Sequence, residues 1–435
     1  VGGRPGMISA ATAAVAVLVV PLVRDHGVEY LFAATILMGV FQGIAALLRL
    51  DLLMRFVSRS VITGFVNALA ILIFMAQIPQ MTGEAFTVQT YGMIAAGLAI
   101  IYGLPRITKL VPSPLAAIIV LAGISIYFRA DVFTVGDMGE LPDSLPWLHI
   151  PEVPLTWETL QIIAPFSLAM AAVGLLESLL TASIVDDMTE TRSDKKRETY
   201  GQGIANFVTG WIGGMGGCAM IGQSVINIKS GGRRRLSTFV AGVMLLVLIV
   251  GLGQWVARIP MPALVAVMIF VSVSTFRWQS FTEISHHPWP SNVVMIATVV
   301  MVVATHDLSI GVLTGVLLSG IFFAWKVRQL VTVQDFVEVT THRYVFGGQI
   351  FFGSVDMLYE AMEFNEDGID RVIIDVHDAH FWDISATGIL DKIVERLKNE
   401  GKSVEVIGLN QASATLVEKY SENEKPFESL GVVGH

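Results

Sequence analysis

The chain has little of what usually ties a soluble domain or a redox site together. Its 435 residues include a single cysteine, Cys218, so no intrachain disulfide can form. Its cysteine and histidine residues show no metal-ligand spacing. Charge is scarce: 15% of residues are Asp, Glu, Lys or Arg, against about 25% in soluble domains. Hydrophobic residues make up 53% and mean hydropathy is +0.65. No nucleophile motif, metal cluster or phosphate loop is present, so nothing points to an enzyme. The net charge of −9 is uneven, with an acidic tail after an apolar stretch that carries small basic loops, and gives no sign of nucleic-acid binding. These proportions indicate an integral membrane protein.

Charge is almost absent from the long apolar runs themselves. Glu177, within TLQIIAPFSLAMAAVGLLESLLTASIV (159–185), is the one formally charged side chain inside any of them. A charge at bilayer depth costs about 2.5–3.5 kcal/mol on insertion scales, so such a residue faces a cavity and acts there. With a requirement of about 20 apolar residues per span, candidate segments fall at 7–23, 31–48, 60–81, 88–104, 110–128, 160–185, 199–212, 218–228, 236–257, 259–276, 291–305 and 308–325. Those at 199–212 and 218–228 are too short to cross separately. The second follows a glycine cluster, as a half-helix in a transporter would, although a structural re-entrant hairpin reads the same way.

Lys and Arg in the loops set the orientation. If Arg24 faces outward, the inner loops hold sixteen basic residues, Arg49, Arg55, Arg59, Arg106, Lys109, Arg192, Lys195, Lys196, Arg197, Lys229, Arg233, Arg234, Arg235, Arg277, Lys326 and Arg328. The outer loops hold Arg24, Arg129 and Arg258 alone. The loop 130–158, with Asp131, Asp137, Glu140, Asp143 and Glu152, is then outside, and everything after Arg328 is cytoplasmic.

A weak internal repeat is ordered along the chain. Gly2-Gly3-Arg4-Pro5-Gly6 leading into MISAATAAVAVLVV answers Gly213-Gly214-Met215-Gly216-Gly217 leading into CAMIGQSVINI, and MRFVSRSVITGF from Met54 answers ARIPMPALVAVM from Ala257. If each glycine-led helix is the third of its repeat, two helices are expected upstream of Val1. Chance similarity between glycine-containing membrane helices is the alternative.

A helix that begins inside the membrane leaves its first N–H groups unpaired and carries about half a positive charge there. Two such termini make an anion site without lysine or arginine. The expected donors are Ser9, Ala10, Ala11 and Thr12 on one helix and Ala219, Met220, Ile221, Gly222, Gln223 and Ser224 on the other. Asn227 lies one turn beyond Gln223 and adds a donor or glues helices. Glu177 and Thr181 share a face at i, i+4 and read as a coupling-ion site for a proton or a cation, with Thr181 bonding its own i−4 carbonyl as the alternative. Gln202 and Asn206 repeat that spacing and either support the site or join helices. Cys218 reads as a small packing residue.

After Val331 the pattern changes to that of a small α/β domain. VEVTTHRYVFGGQIFFGS reads as two strands with a turn at Gly347-Gly348, VDMLYEAMEF as a helix, RVIIDV as a buried strand, ISATGILDKIVERLKNEG as a helix ending at Gly401, and SVEVIGLN as a strand. Ser385 sits at the start of that second helix, as a phosphate acceptor or as a cap, a role Asp383 could fill equally.

GRPGMISAATAA, LLESLLTASIVDDMT, GQGIANFVTG, GGCAMIGQSVINIKSGGRRRLST, IFFGS and HDAHFWDISATGILD together resemble the SulP family of anion transporters with a C-terminal STAS domain. The resemblance covers nearly the whole chain. It implies a polytopic α-helical membrane protein of inverted seven-helix repeats, with the first two helices missing here, followed by a small α/β STAS domain. It further implies a membrane transport domain over 1–329, with a core at about 1–48 and 160–257 and a gate at about 52–128 and 259–325, and a cytoplasmic STAS domain over 330–435. The implied substrate is a small inorganic or dicarboxylic anion (sulfate, bicarbonate or dicarboxylate), carried across the plasma membrane by a homodimer. Relatives coupled to sodium tend to carry Asp where Glu177 stands, which implies protons here, with sodium-coupled bicarbonate uptake as the alternative. A non-transporting anion sensor signalling through STAS to a cytoplasmic partner is the reading from another class. The Gly-Pro common in the family's third helix is Ala10-Ala11 here, and the tenth-helix stretch Ala219 to Ser224 carries no basic residue. Ser385 matches the phosphorylated position of soluble anti-sigma-factor antagonists.

Overall fold

The computed structural model describes residues 2–52, 57–82, 87–108, 111–128, 131–139, 145–306, 308–365 and 367–420. Met54, Arg55, Lys109, Arg129, Glu140 and Asp143, which enter the repeat and topology arguments, lie outside the described residues. The chain divides into two compact units, Val1–Val316 and Leu317–His435.

The first unit opens with β1 (Ser9–Ala11), α1 (Ala13–His26) and α2 (Val28–Leu47). It continues with α3 (Arg59–Met75), the short α4 (Ile78–Thr82), α5 (Val88–Ile107), α6 (Ser113–Phe128) and the short α7 (Val135–Met138). Then come α8 (Trp157–Thr189), α9 (Lys195–Trp211), β2 (Gly217–Ala219), α10 (Ile221–Lys229), α11 (Arg235–Val256), α12 (Met261–Thr275), the short α13 (Gln279–Glu283) and α14 (Trp289–Thr305), and α15 (Leu308–Arg328) carries the chain from the first unit into the second. Among the described residues, seven helical runs are long and apolar enough to cross a membrane. The glycine-led segments both lead into helices as expected; α10, with 9 residues, is short as expected, and α1, with 14, is shorter than the expected run 7–23. The expected donors Ser9, Ala10, Ala11 and Ala219 are not helical, however. They lie on the strands that precede α1 and α10, because each chain is paired edge to edge with the other before its helix begins.

Small residues bring the helices together. A Cβ on Gly39 would lie 2.4 Å from Phe207 N, and one on Gly203 would lie 2.9 Å from Gly43 N, so α2 and α9 cross backbone to backbone. Gly64 of α3 meets Met295 O of α14 in the same way, at 2.7 Å. Outside the helices, residues 133–136 pair with 257–261 through Val135 N–H to Ile259 O (3.0 Å) and Met261 N–H to Phe133 O (2.8 Å). His149 binds the Glu29 carboxylate at 2.9 Å and gives its main-chain N–H to Trp211 O at 2.7 Å, which fixes the other end of that loop on α2 and α9.

The second unit holds β3 (Thr332–Glu338), β4 (Thr341–Ile350), α16 (Val355–Glu360), β5 (Arg371–Phe381), α17 (Ile384–Asn399), β6 (Ser403–Ile407) and α18 (Gln411–Tyr420). The strands form one mixed sheet in the order β3-β4-β5-β6, with only the β3–β4 pair antiparallel. Ala386, Leu390, Ile393, Val394 and Leu397 recur at helical spacing on α17 and are buried in a core shared with Phe346, Ile374 and Val376. Two expectations need correction. The hairpin turn is not at Gly347-Gly348 but at Val339-Thr340, where Val339 has φ +52°. The glycines lie inside β4, next to a register shift, where a Cβ on Gly348 would meet Leu330 O at 2.3 Å; they serve a bulge and a close crossing. The cap of α17 is Asp383, whose Oδ1 accepts Ala386 N–H at 2.9 Å while Oδ2 accepts Phe352 N–H at 2.8 Å. Ser385 is one residue inside the helix and exposed.

Candidate functional site

β1 and β2 are three-residue antiparallel strands, with Ser9 opposite Ala219, Ala10 opposite Cys218 and Ala11 opposite Gly217. A Cβ on Gly217 would lie 2.5 Å from Ala10 O, so glycine is what lets the two backbones close. Because the strands run in opposite directions and each feeds a helix, α1 and α10 leave the pair from opposite ends with their N-termini against it. Their dipoles therefore place partial positive charge at both ends of one short ribbon.

The main-chain donors of this ribbon divide into those already used and those that are free. Met220 N–H goes to Ile8 O (2.9 Å), Ala219 N–H to Ser178 Oγ (3.0 Å) and Gly217 N–H to Asn206 Oδ1 (2.8 Å). At α1, Thr12 caps the helix through Val15 N–H. At α10 no side chain caps the first turn, and among the described residues the N–H groups of Ile221, Gly222 and Gln223 have no partner, as those of Ala13 and Ala14 have none in the first turn of α1. Ser224 N–H already makes the first intrahelical bond, to Met220 O at 3.1 Å. Ser224 Oγ is buried and accepts Ile8 N–H at 3.0 Å, so this hydroxyl holds the strands. Asn227 gives its amide to Gly6 O (2.8 Å), Gly232 O and Ser237 Oγ (3.0 Å each), and so fastens the loop before β1 to the end of α10.

Glu177 lies behind the ribbon on α8, with 9% of its surface exposed. Its Oε2 accepts the thiol hydrogen of Cys218 at 2.8 Å, and Thr12 Oγ1 lies 3.2 Å from the same sulfur. Cys218 thus packs as a small buried residue and also touches the carboxylate. Thr181 Oγ1 donates to Glu177 O (2.8 Å) and to Ala219 O (3.0 Å). Together with Ser178 it clamps both polar groups of Ala219 onto α8. Asn206 does the same for Gly217, with its amide nitrogen on Gly217 O (3.0 Å) and on Gln42 Oε1 of α2 (2.9 Å).

Two polar residues escape a search for charges in apolar runs. Glu198, 2% exposed, accepts Arg4 N–H at 3.0 Å and Gln202 Nε2 at 2.9 Å. It hides in the basic run Lys195-Lys196-Arg197, and its i, i+4 spacing to Gln202 is the one signal that could have found it. The Arg4 guanidinium is spent on Thr189, Thr191, Val185 O and an ion pair with Asp186 at 3.2 Å, so it anchors the loop before β1. Ser9, Ala10, Met220 and Gln223 line a cavity of about 770 Å³ together with Arg4, Glu198, Gln202 and Arg235. No group of three or more metal-ligating side chains occurs among the described residues.

With this geometry in place, comparison with known proteins is specific. The family described as Sulfate permease family matches residues 1–99 and 88–298, and STAS domain matches residues 337–430. YbaR of Bacillus subtilis (strain 168), provisionally named a sulfate transporter, is 56% identical over 418 residues, which cover 96% of this chain and 87% of that protein. The solved transmembrane domain of the bicarbonate transporter BicA of a cyanobacterium is 25% identical with a TM-score of 0.62, over 73% of this chain and 85% of that one. The murine Slc26a9 anion transporter shares the fold, with a TM-score of 0.80 at 14% identity over 98% of this chain and 80% of that one.

Proposed function

Because this chain belongs to the sulfate permease family and is a multi-pass membrane anion transporter ending in a STAS domain, we propose that it carries a small oxyanion bound at the α10 N-terminus and couples that movement to protons through Glu177. The observation that supports this most directly is the ribbon itself: two short helices start at a paired strand, with free N–H groups on one side and a buried carboxylate on the other. An anion needs fixed donors and a favourable dipole where water is excluded, and the first turn of α10 supplies both. Glu177 can take and release a proton next to that charge, so anion entry and protonation offset each other.

In this reading α1, α2, α8, α9, α10 and α11 form the part that carries the ligand, and α3, α5, α6, α12, α14 and α15 the part it moves against. Sulfate, bicarbonate and dicarboxylates all fit a site built from main-chain donors. The names of YbaR and BicA support sulfate and bicarbonate as the first candidates. We place the protein in the plasma membrane as a homodimer with its STAS domain in the cytoplasm, where it could meet a soluble partner. The test is uptake by the full-length protein in liposomes, with radiolabelled sulfate, bicarbonate and succinate supplied under an imposed pH gradient or an imposed sodium gradient. Accumulation driven by pH is expected. Accumulation driven by sodium alone would replace the coupling ion, and binding without accumulation would mark a sensor.

A further inference from the structure

Glu198 is a buried carboxylate at the start of α9 that the proposed cycle does not use. Its Oε2 takes the main-chain N–H of Arg4 and its Oε1 takes Gln202 Nε2, at 3.0 and 2.9 Å. The same Gln202 nitrogen lies 2.8 Å from Ser9 Oγ. An ionised carboxylate only accepts hydrogen bonds, whereas an amide has a donor end and an acceptor end. Gln202 must therefore turn its NH2 toward Glu198, and that NH2 then donates to Ser9 as well. The orientation follows from this chemistry, since oxygen and nitrogen of an amide are told apart by their partners. It leaves Gln202 Oε1 buried without a partner among the described residues. The amide's own needs would not select that arrangement; Glu198 imposes it.

The consequence reaches the cavity. With its oxygen receiving the Gln202 NH2, Ser9 has its single hydroxyl hydrogen free to point elsewhere. Ser9 is exposed on the cavity that Ala10, Met220 and Gln223 also line. We propose that Glu198 is a positioning residue that fixes the polarity of the Ser9 hydroxyl, so that β1 presents a donor to an oxyanion beside the α10 N-terminus. This rests on the anion-site reading above. Opposite polarity would turn a lone pair toward the anion and repel it.

Substitutions separate polarity from packing. In E198Q the new amide keeps Arg4 N–H on its oxygen and turns its NH2 to Gln202, which must flip and take the Ser9 hydrogen on its Oε1. The contacts survive in number while the donor to the cavity is lost. The apparent KM for radiolabelled sulfate in liposomes, or for bicarbonate if sulfate is not carried, should rise about tenfold, with Vmax within about twofold. The swap E198Q/Q202E keeps the same three contacts, Arg4 to 198, 198 to 202 and 202 to Ser9, so thermal stability should match the wild-type value while KM stays high, because the carboxylate now takes the Ser9 hydrogen. S9A should raise KM by a similar factor, and adding E198Q to S9A should raise it no further. If E198Q does not fold, Q202M removes the amide that holds the Ser9 oxygen and leaves the Arg4 contact; the hydroxyl is then free to turn, and KM should lie between the wild-type and S9A values. A KM restored by the swap, or unchanged in E198Q while S9A raises it, overturns the inference and leaves the anion site standing. An unchanged KM in S9A removes Ser9 from the anion site itself.

Discussion

Cys218 gives its thiol hydrogen to Glu177 across 2.8 Å, and this contact joins the carboxylate of α8 to the middle of β2. Thr12, the cap of α1, lies 3.2 Å from the same sulfur. These three side chains therefore link the cap of α1, the middle of β2 and the buried acid of α8, so the charge state of Glu177 is felt where the ribbon is held.

Glu177→Gln should abolish accumulation driven by a pH gradient while leaving expression and melting temperature close to wild type. The amide has the shape of the acid and its oxygen can still accept the Cys218 hydrogen. What it lacks is a proton to exchange. Uptake in liposomes at fixed anion concentration, with and without the gradient, reads this directly; accumulation at the wild-type level in the variant would remove the coupling role.

Gln223 and Ser224 adjoin in sequence but should behave differently. Gln223 is exposed on the cavity, and Gln223→Ala should raise the apparent KM severalfold with little change in stability. Ser224→Ala deprives Ile8 N–H of its acceptor and should lower stability by about 1 kcal/mol. Thermal melting and uptake kinetics on both variants check the division. Equal KM shifts with no stability loss at Ser224 would return its hydroxyl to the ligand.

Asn206 grips Gly217 at both its N–H and its C=O, as a neighbouring strand would. Asn206→Ala should cost about 2–3 kcal/mol through two partly buried main-chain groups left without partners. Asn206→Asp should cost at least as much, since a carboxylate can serve the N–H but faces Gly217 O with no hydrogen to give. A milder loss with Asp than with Ala would show that the carbonyl bond contributes little.

Much of this was legible from residue order alone, and the reason differs by element. Long apolar runs declare membrane helices because no other use of such a run is economical in polar groups, and Glu177 stands out against that background. Gly213 to Gly217 mark a break before α10, yet three-residue strands leave no periodic trace, so the order of Ser9 to Ala11 does not distinguish a strand from the start of a helix. Roles of polar side chains were the least legible. Ser224, Asn227, Thr181 and Asn206 have the composition of a binding site, but Ser224, Asn227 and Thr181 bond main-chain groups 38 or more residues away and Asn206 holds Gly217 in the next strand, and spacing does not reveal such partners. Glu198 was masked for the opposite reason, since its neighbours in sequence are charged while its neighbours in space are not solvent. In the second unit, Val339 took the turn that Gly347-Gly348 advertised, because those glycines were needed where β4 passes close under Leu330.

The start of α17 allows a clean separation of capping from charge. Asp383 fills the cap position and also receives Phe352 N–H from the loop after β4, so Asp383→Ala should lose about 1–2 kcal/mol, the usual value for a cap. Ser385 lies exposed within the first helical turn, and Ser385→Ala should change stability by less than about 0.5 kcal/mol. Had Ser385 been the cap, the two results would be reversed. A negative charge at that position is favoured by the helix dipole by about 0.3–1 kcal/mol, so Ser385→Asp should be neutral or slightly stabilising in thermal melts of the full-length protein. Its effect on transport then isolates a charge switch from any effect on folding: a changed uptake rate with Asp and an unchanged one with Ala would indicate that phosphorylation here acts on the transporter. Equal rates in all three proteins, with no phosphoserine at 385 in protein purified from cells, would leave Ser385 as an ordinary surface residue.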